Sequence, residues 1–357
     1  MIERKNLEDM KAKHRTLKEY SFAKKPLHRG YNNRTLYVNV GTLEIKEKPV
    51  SEEMKEKFIG GKGFGLRLLW DGVTERTRWN DPENEINIAV GPVGGNTNYP
   101  GSGKSLVVSL SPLTDIPIDS NVGGHFGPYL KFSGFDALEL QGKADRDVIV
   151  YIDGNAGNVK VFEAPDEETN SHLLAHQLHE MFADNDNERQ HISVVSAGKG
   201  AENTLLGCLN FSLWDKRRNG PRLKQAGRGG IGTVLRDKKI KAVVVKFSGL
   251  NSLLNDPADL KVIQERGVKL HKEIVSLDSQ QCRMRTCGTA HLVEIMNDYD
   301  LLPVMNFQYG QHPEAEKLNS HVWEKFFSQN VPDGCWYGCT MACAHAVDGF
   351  LLKTGPY

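Results

Sequence analysis

Between Leu36 and Phe247 the chain is cut into short apolar runs, and this limits its fold more than any other feature. Leu36, Val38 and Val40 alternate with polar neighbours, as do Ile86, Ile88 and Val90. That is the period of a strand with one buried face. The runs "SLVVSLS", "DALELQG", "DVIVYIDG", "VKVF", "HISVVSAG" and "KAVVVKF" add further strands, mostly bounded by Gly, Pro or Asp. "DGNAG" between two of them reads as a hairpin turn. One helix interrupts: Ser171 is placed to cap a segment whose Leu174, Leu178 and Met181 share a face. After Gly249 the texture turns helical. Asp256 is positioned as an N-cap and Pro257 as the first helical residue, with Leu260, Ile263, Leu270 and Ile274 on one side. "TAHLVEIMND" and "HVWEKFF" are further short helices. The expected class is α+β. A β-rich domain over 34–250 follows a basic arm (1–33) and precedes the start of a mostly helical domain (251–357).

At 357 residues the chain is long enough for two domains. Its 45 Lys+Arg balance 45 Asp+Glu, which argues against nucleic acid as a partner. No apolar run approaches the ~20 residues of a membrane span. The opening "MIERKNLEDMK" has no apolar segment of a secretory signal, so a cytoplasmic protein is expected. Residues 1–30 carry nine Lys/Arg against four Asp/Glu without strong apolar periodicity. A solvated or partly helical arm is preferred there over a docking arm for an acidic partner.

"YPGSGKS" (99–105) ends like an ATP-binding phosphate loop, yet Asn98 stands where the first glycine belongs. Such a loop feeds a helix whose first turn holds phosphate. Here a β-branched run follows and Pro112 closes it, so a strand is expected and ATP binding is rejected. Two more glycine turns follow, "SNVGGHFGPYLKFSGFDAL" and "KQAGRGGIGTV". Glycine lets backbone approach a ligand and exposes N–H groups to anions, and Arg228 adds a planar cation. Ordinary loop glycines would account for one such turn. Three, two of them carrying a cation, point to a large phosphorylated cofactor.

Three of the six cysteines, Cys335, Cys339 and Cys343, fall within nine residues beside Gly334 and Gly338. With no secretory signal, that clustering favours a metal site over disulfides. Structural zinc commonly uses two pairs of ligands; no second pair is evident, although Cys282 and Cys287, five apart, stay open as one. Three close thiolates fit an iron–sulfur cluster whose remaining ligand comes from elsewhere. The C-x3-C-x2-C pattern of radical enzymes is missed by one residue, and His345 reads as a neighbour of the site or a solvent residue.

With these pieces together, the chain resembles the tungsten-containing aldehyde:ferredoxin oxidoreductase family from about Leu36 to Val347. The resemblance rests on "GGKGFGLRLLW", "AVGPVGG", "SLSPLTD", "NVGGHFGPYLKFSGFDALELQGKA", "GKGAEN", "AGRGGIGTVLRDKKIKAVVV", "GTAHLVEIMNDYDLLPVMNFQYG" and the three-cysteine segment, in that order. It implies a β-rich base carrying a bis-pterin cofactor of tungsten or molybdenum, closed over by helical domains. The implied cofactor-binding residues are Lys104, Asn121, Gly123, Lys224, Gln225, Gly227 and Arg228. Lys104 and Lys224 stand at arginine positions, keeping the charge but losing the planar fork. Cys335, Cys339 and Cys343 match three ligands of a 4Fe–4S cluster, although family spacing is more often C-x2-C-x3-C. The implied activity is oxidation of an aldehyde to a carboxylic acid, with electrons leaving to ferredoxin or another low-potential carrier. Alternatives are the tungsten subunit of an aromatic-ring acyl-CoA reductase, or a non-catalytic electron-transfer or cofactor-carrying subunit. The implied carboxylate and histidine near the metal, and the fourth cluster cysteine, lie beyond the cluster segment. The chain therefore resembles the N-terminal part of such an enzyme, with a missing C-terminal portion or partner subunit.

Overall fold

The computed structural model describes residues 4–164, 170–251, 253–281, 283–328, 334–341 and 343–347. Its strands are β1 (Thr16–Ser21), β2 (Arg34–Asn39), β3 (Glu44–Pro49), β4 (Ile86–Ala89), β5 (Ser105–Leu110), β6 (Pro117–Val122) and β7 (Ala137–Gln141). They continue as β8 (Val148–Asp153), β9 (Asn158–Glu163), β10 (Ile192–Ser196), β11 (Leu209–Asp215), β12 (Gly220–Ala226) and β13 (Ile240–Lys246). The helices are α1 (Arg4–Lys13), α2 (Glu52–Phe58), α3 (Lys62–Gly72), α4 (Phe126–Ser133), α5 (Ser171–Phe182), α6 (Ile231–Asp237), α7 (Leu260–Ser276), α8 (Leu292–Asp298) and α9 (Ser320–Trp323). The fold is α+β.

The strands form two sheets. One runs β3-β2-β7-β4-β5-β6 and the other β1-β9-β8-β13-β10-β11-β12. Pairing is antiparallel except for β2 with β7 and β8 with β13. β13 is buried at every position and β8 at all but its last, because both faces of these strands are covered. Between the sheets lies α4, buried from Phe126 to Ser133 and packed on β7 of the first sheet and β8, β10, β11 and β13 of the second. Gly134 ends it at φ +119°, with its N–H on the carbonyls of Leu130 and Lys131, a left-handed cap that glycine adopts without strain. The "DGNAG" turn joins β8 to β9, its Asp153 carboxylate accepting the N–H groups of Asn155 and Ala156.

Three local expectations need correction. The basic N-terminal segment is partly helical, as expected, but is not a free arm: α1 packs on α5, and β1 pairs with β9 as an edge strand. Asn170, not Ser171, caps α5, accepting the N–H groups of His172 and Leu173; the Ser171 hydroxyl instead accepts from Asn210. Asp256 caps no helix. Its backbone is left-handed (φ +40°), its carboxylate accepts the Arg29 N–H (3.2 Å), and α7 begins only at Leu260. Strands β6 and β12 carry no clear apolar alternation, since Asp119, Asn121 and the charged tip 216–222 interrupt it; β11 does alternate, through Leu209, Phe211 and Leu213, but is not among the expected strands.

The chain divides into two compact units: Met1–Asn96 with Ser102–Leu260, and Thr97–Gly101 with Lys261–Tyr357. The first holds both sheets. The second holds α8, α9 and nearly all of α7. No described helix is long and apolar enough to cross a membrane.

Candidate functional site

The site builds from strand ends of the first unit. A strand, β5, follows Lys104, so the lysine sits on no phosphate-binding helix. In the β5–β6 ladder Ser105 faces Val122 and Leu106 faces Asn121. Exposed Lys104 therefore enters beside the point where the chain leaves β6 for Gly123. Gly127, in the first turn of α4, is held so close to the Ser105 hydroxyl that a Cβ would collide with it.

β6 and β12 are the outer strands of their respective sheets, and the third glycine bend joins them. The Arg228 N–H donates to the Ser120 hydroxyl on β6 (3.1 Å). Gly229, at φ +74°, lies against Ile118, whose Cγ1 would be 2.5 Å from an added Cβ. Upstream on β12, Lys224 faces Phe211 and Gln225 faces Asn210. The bend after β6 reaches the same sheet, with Gly124 (φ +121°) against Leu213 of β11. The three bends thus meet where two sheet edges meet. Lys104, Asn121, Gln225, Gly227 and Arg228 are exposed there, Lys224 is half-buried and Gly123 is buried.

A fourth segment joins them. Gly61 donates its N–H to the Val90 carbonyl (3.2 Å) and lies against Leu106, while Lys62 pairs with Asp119 of β6 at 2.6 Å. The neighbouring loop 91–94 wraps the ammonium of Lys131. This donates to the carbonyls of Gly91 (3.0 Å), Pro92 (2.6 Å) and Gly94 (3.0 Å). Burial pushes the Lys131 ammonium down from the usual lysine range, opposed by the Asp136 carboxylate. Residue-by-residue reading had passed over Lys131 and Lys62. The available signal was a lysine inside the otherwise apolar run "FGPYLKFSG".

Whether these residues fit a large planar cofactor is testable on the glycines. Gly91 and Gly227 have no left-handed φ, and a Cβ on either would meet no atom within 4 Å. Neither backbone conformation nor the chain's own packing calls for glycine there. Close approach of a ligand does, and exposed cations beside it suit phosphate.

In the second unit Cys335, Cys339 and Cys343 are each half-buried. The Cys339 N–H closes a turn on the Trp336 carbonyl (3.1 Å), and the Cys343 carbonyl accepts from Thr289 (3.4 Å). Cys343 lines a cavity of about 290 Å³ with Cys287 and His345, and the His345 ring stacks on Phe327 (4.8 Å, 19°). Burial, with a hydrogen bond to Glu324, pushes the Cys287 thiol up to about 11. Among the described residues no three His, Cys, Asp or Glu side chains are gathered as a site for a single metal ion. Cys282 lies outside the described residues.

Comparison with known proteins finds two family models. "Aldehyde ferredoxin oxidoreductase, N-terminal domain" matches residues 35–247, and "Aldehyde ferredoxin oxidoreductase, domains 2 & 3" matches 265–355. A tungsten-containing aldehyde ferredoxin oxidoreductase of Pyrococcus horikoshii is 33% identical over 88% of this chain and 48% of its own length. The aliphatic sulfonate oxidoreductase, WOR-like subunit, of Pyrococcus furiosus is 28% identical over 92% and 50%. Among solved structures, the active-site complex BamBC of benzoyl coenzyme A reductase shares the fold, with TM-score 0.64 at 21% identity over 91% of this chain and 48% of that one. The chain spans about half the length of the relatives it matches.

Proposed function

The chain belongs to the aldehyde ferredoxin oxidoreductase family, and from that premise we propose that the cradle at the β6–β12 junction is the base for a tungsten bis-pterin cofactor, in an oxidoreductase that converts aldehydes to carboxylic acids. The observation carrying this reading is the meeting of the glycine bends at two sheet edges, with Gly91 and Gly227 open on their Cβ sides. When bound, such a cofactor supplies two-electron redox chemistry, while the protein supplies binding, orientation and electrostatics. Lys104 and Arg228 would neutralise its phosphates. Asn121 and Gln225 would offer amide donors and acceptors to the polar ring edges, and Gly123 and Gly227 would let it lie against backbone. The backbone of the Arg228 bend is fixed, because its main-chain N–H is held by the Ser120 hydroxyl. The loop shaped by Lys131 would keep the Gly91 end of the base in place. Molybdenum in place of tungsten is decided by metal analysis.

Cys335, Cys339 and Cys343 are the proposed ligands of an iron–sulfur cluster passing electrons to ferredoxin or a similar carrier. Three clustered thiols have the right donor chemistry for it.

The test is metal, pterin and sulfide analysis of the anaerobically purified natural protein, with its intact mass. Tungsten or molybdenum with pterin is expected, falling steeply in the Lys104→Gln/Arg228→Gln double variant at unchanged melting temperature, since both side chains are exposed. Undiminished loading in that variant would refute the cradle. Iron without tungsten or molybdenum would instead favour an electron-transfer subunit.

A further inference from the structure

The cradle leaves two motifs unused: "GKGAEN" (198–203), and the "LRDKKIK" (235–241) that follows the third glycine bend. α6 carries the chain from the bend at Gly230 to Arg236, a rise of about 9 Å at 1.5 Å per residue. Beyond it the two motifs meet around a separate cavity of about 190 Å³, whose charged lining is Asp147, Lys199, Glu202, Arg236 and Lys241.

Arg236 is only 6% exposed. Its Nη2 donates to both oxygens of Asp147 (3.0 Å each) and to Glu202 (2.7 Å), and its Nε donates to Glu202 (3.1 Å). The two carboxylates thus hold one side of the guanidinium. Its Nη1 is buried and has no hydrogen-bond partner among the described residues. A buried donor of this kind is costly unless an acceptor fills it, and the adjoining cavity has room for one. Lys241, itself 8% exposed, lies 4.0 Å from Asp147, and Lys199 stands exposed on the rim. Three cations against two carboxylates leave the lining at +1. Next to Lys199, Gly200 has no left-handed φ and no atom within 4 Å of an added Cβ, so bare backbone also faces open space there.

We propose that this cavity binds a small oxyanion, of phosphate or carboxylate size, between Arg236, Lys241 and Lys199. The site is independent of the cofactor reading, and either can fail alone. The experiment is isothermal titration of the full chain with inorganic phosphate and, in a second arm, with acetate. Saturable binding of at least one anion is expected. Lys199→Ala should weaken it about tenfold, the loss of one charge-assisted contact. The melting temperature in anion-free buffer should not change, because Lys199 is exposed. Arg236→Lys, which removes Nη1, should abolish binding; should that variant misfold, the Lys199 variant still decides. Saturation by acetate alone assigns a carboxylate ligand and keeps the site. No saturable heat with either anion, or a Lys199→Ala titration like the parent's, overturns the proposal.

Discussion

At the scale of single residues, the buried polar groups matter most. Lys131 donates to three backbone carbonyls, of which Gly91 also accepts from the Gly94 N–H and Pro92 from Asn255. Lys131→Met therefore takes the donor from the buried Gly94 carbonyl, at about 1–3 kcal/mol, and removes the cation facing the buried Asp136 carboxylate. A loss of about 3 kcal/mol or more in urea denaturation is expected, and a loss under 1 would show that the loop holds itself. His125 and His179 make a second case. Burial pushes His125 down to about 3 and His179 down to about 4, so both are neutral near pH 7. In the unfolded chain they take up protons near pH 6.5. The unfolded state then binds more protons than the folded state between about pH 6.5 and 4, and stability falls as pH falls through that window. The slope is about 1.4 kcal/mol per pH unit per histidine. Denaturation midpoints from pH 7 to 4.5 check this; His179→Gln should flatten the slope by one proton. Their neutrality follows from tertiary burial, which at His179 outweighs the opposing pull of the Arg189 carbonyl on its ring.

Among the elements, the glycine bends separate into two kinds. Gly230 begins α6 at φ +69° with the Leu205 carbonyl in the place of any Cβ, so its glycine serves the fold. Gly227 has neither constraint. Gly230→Ala is therefore expected to destabilise by more than about 1 kcal/mol. Gly227→Ala should hold or slightly raise the melting temperature, by up to about 1 kcal/mol equivalent, while lowering pterin and tungsten content. Equal losses of stability in both would remove the distinction. The central strands were legible because β8 and β13 carry the apolar runs 148–152 and 242–245. β12 was not, because an edge strand has a solvent side and can carry Arg222, Lys224 and Gln225 without penalty.

For the whole molecule, the second unit leaves a run of large apolar side chains in solvent: Tyr299, Leu301, Met305, Phe307 (79% exposed) and Tyr309. Met305, Asn306 and Phe307 also have left-handed backbones. A patch of this kind favours association. The 357-residue chain is expected to self-associate on size exclusion, and a Met305→Ser/Phe307→Ser variant to shift toward monomer; an unchanged elution profile would show the patch to be inert. The sequence alone determined that a strand-rich region up to about residue 250 gives way to a helical one, because strand and helix periods are local properties of a few neighbouring residues. It also determined that glycine turns carry cations and that three thiols lie close along the chain. Only the tertiary structure decided that β6 and β12 are both outer strands and meet, which brings Arg228 to the sheet edge of Lys104 and Asn121, more than a hundred residues earlier in the chain. Which edges meet depends on how α4 fills the space between the sheets, a packing outcome to which all the strands contribute and which no single segment encodes.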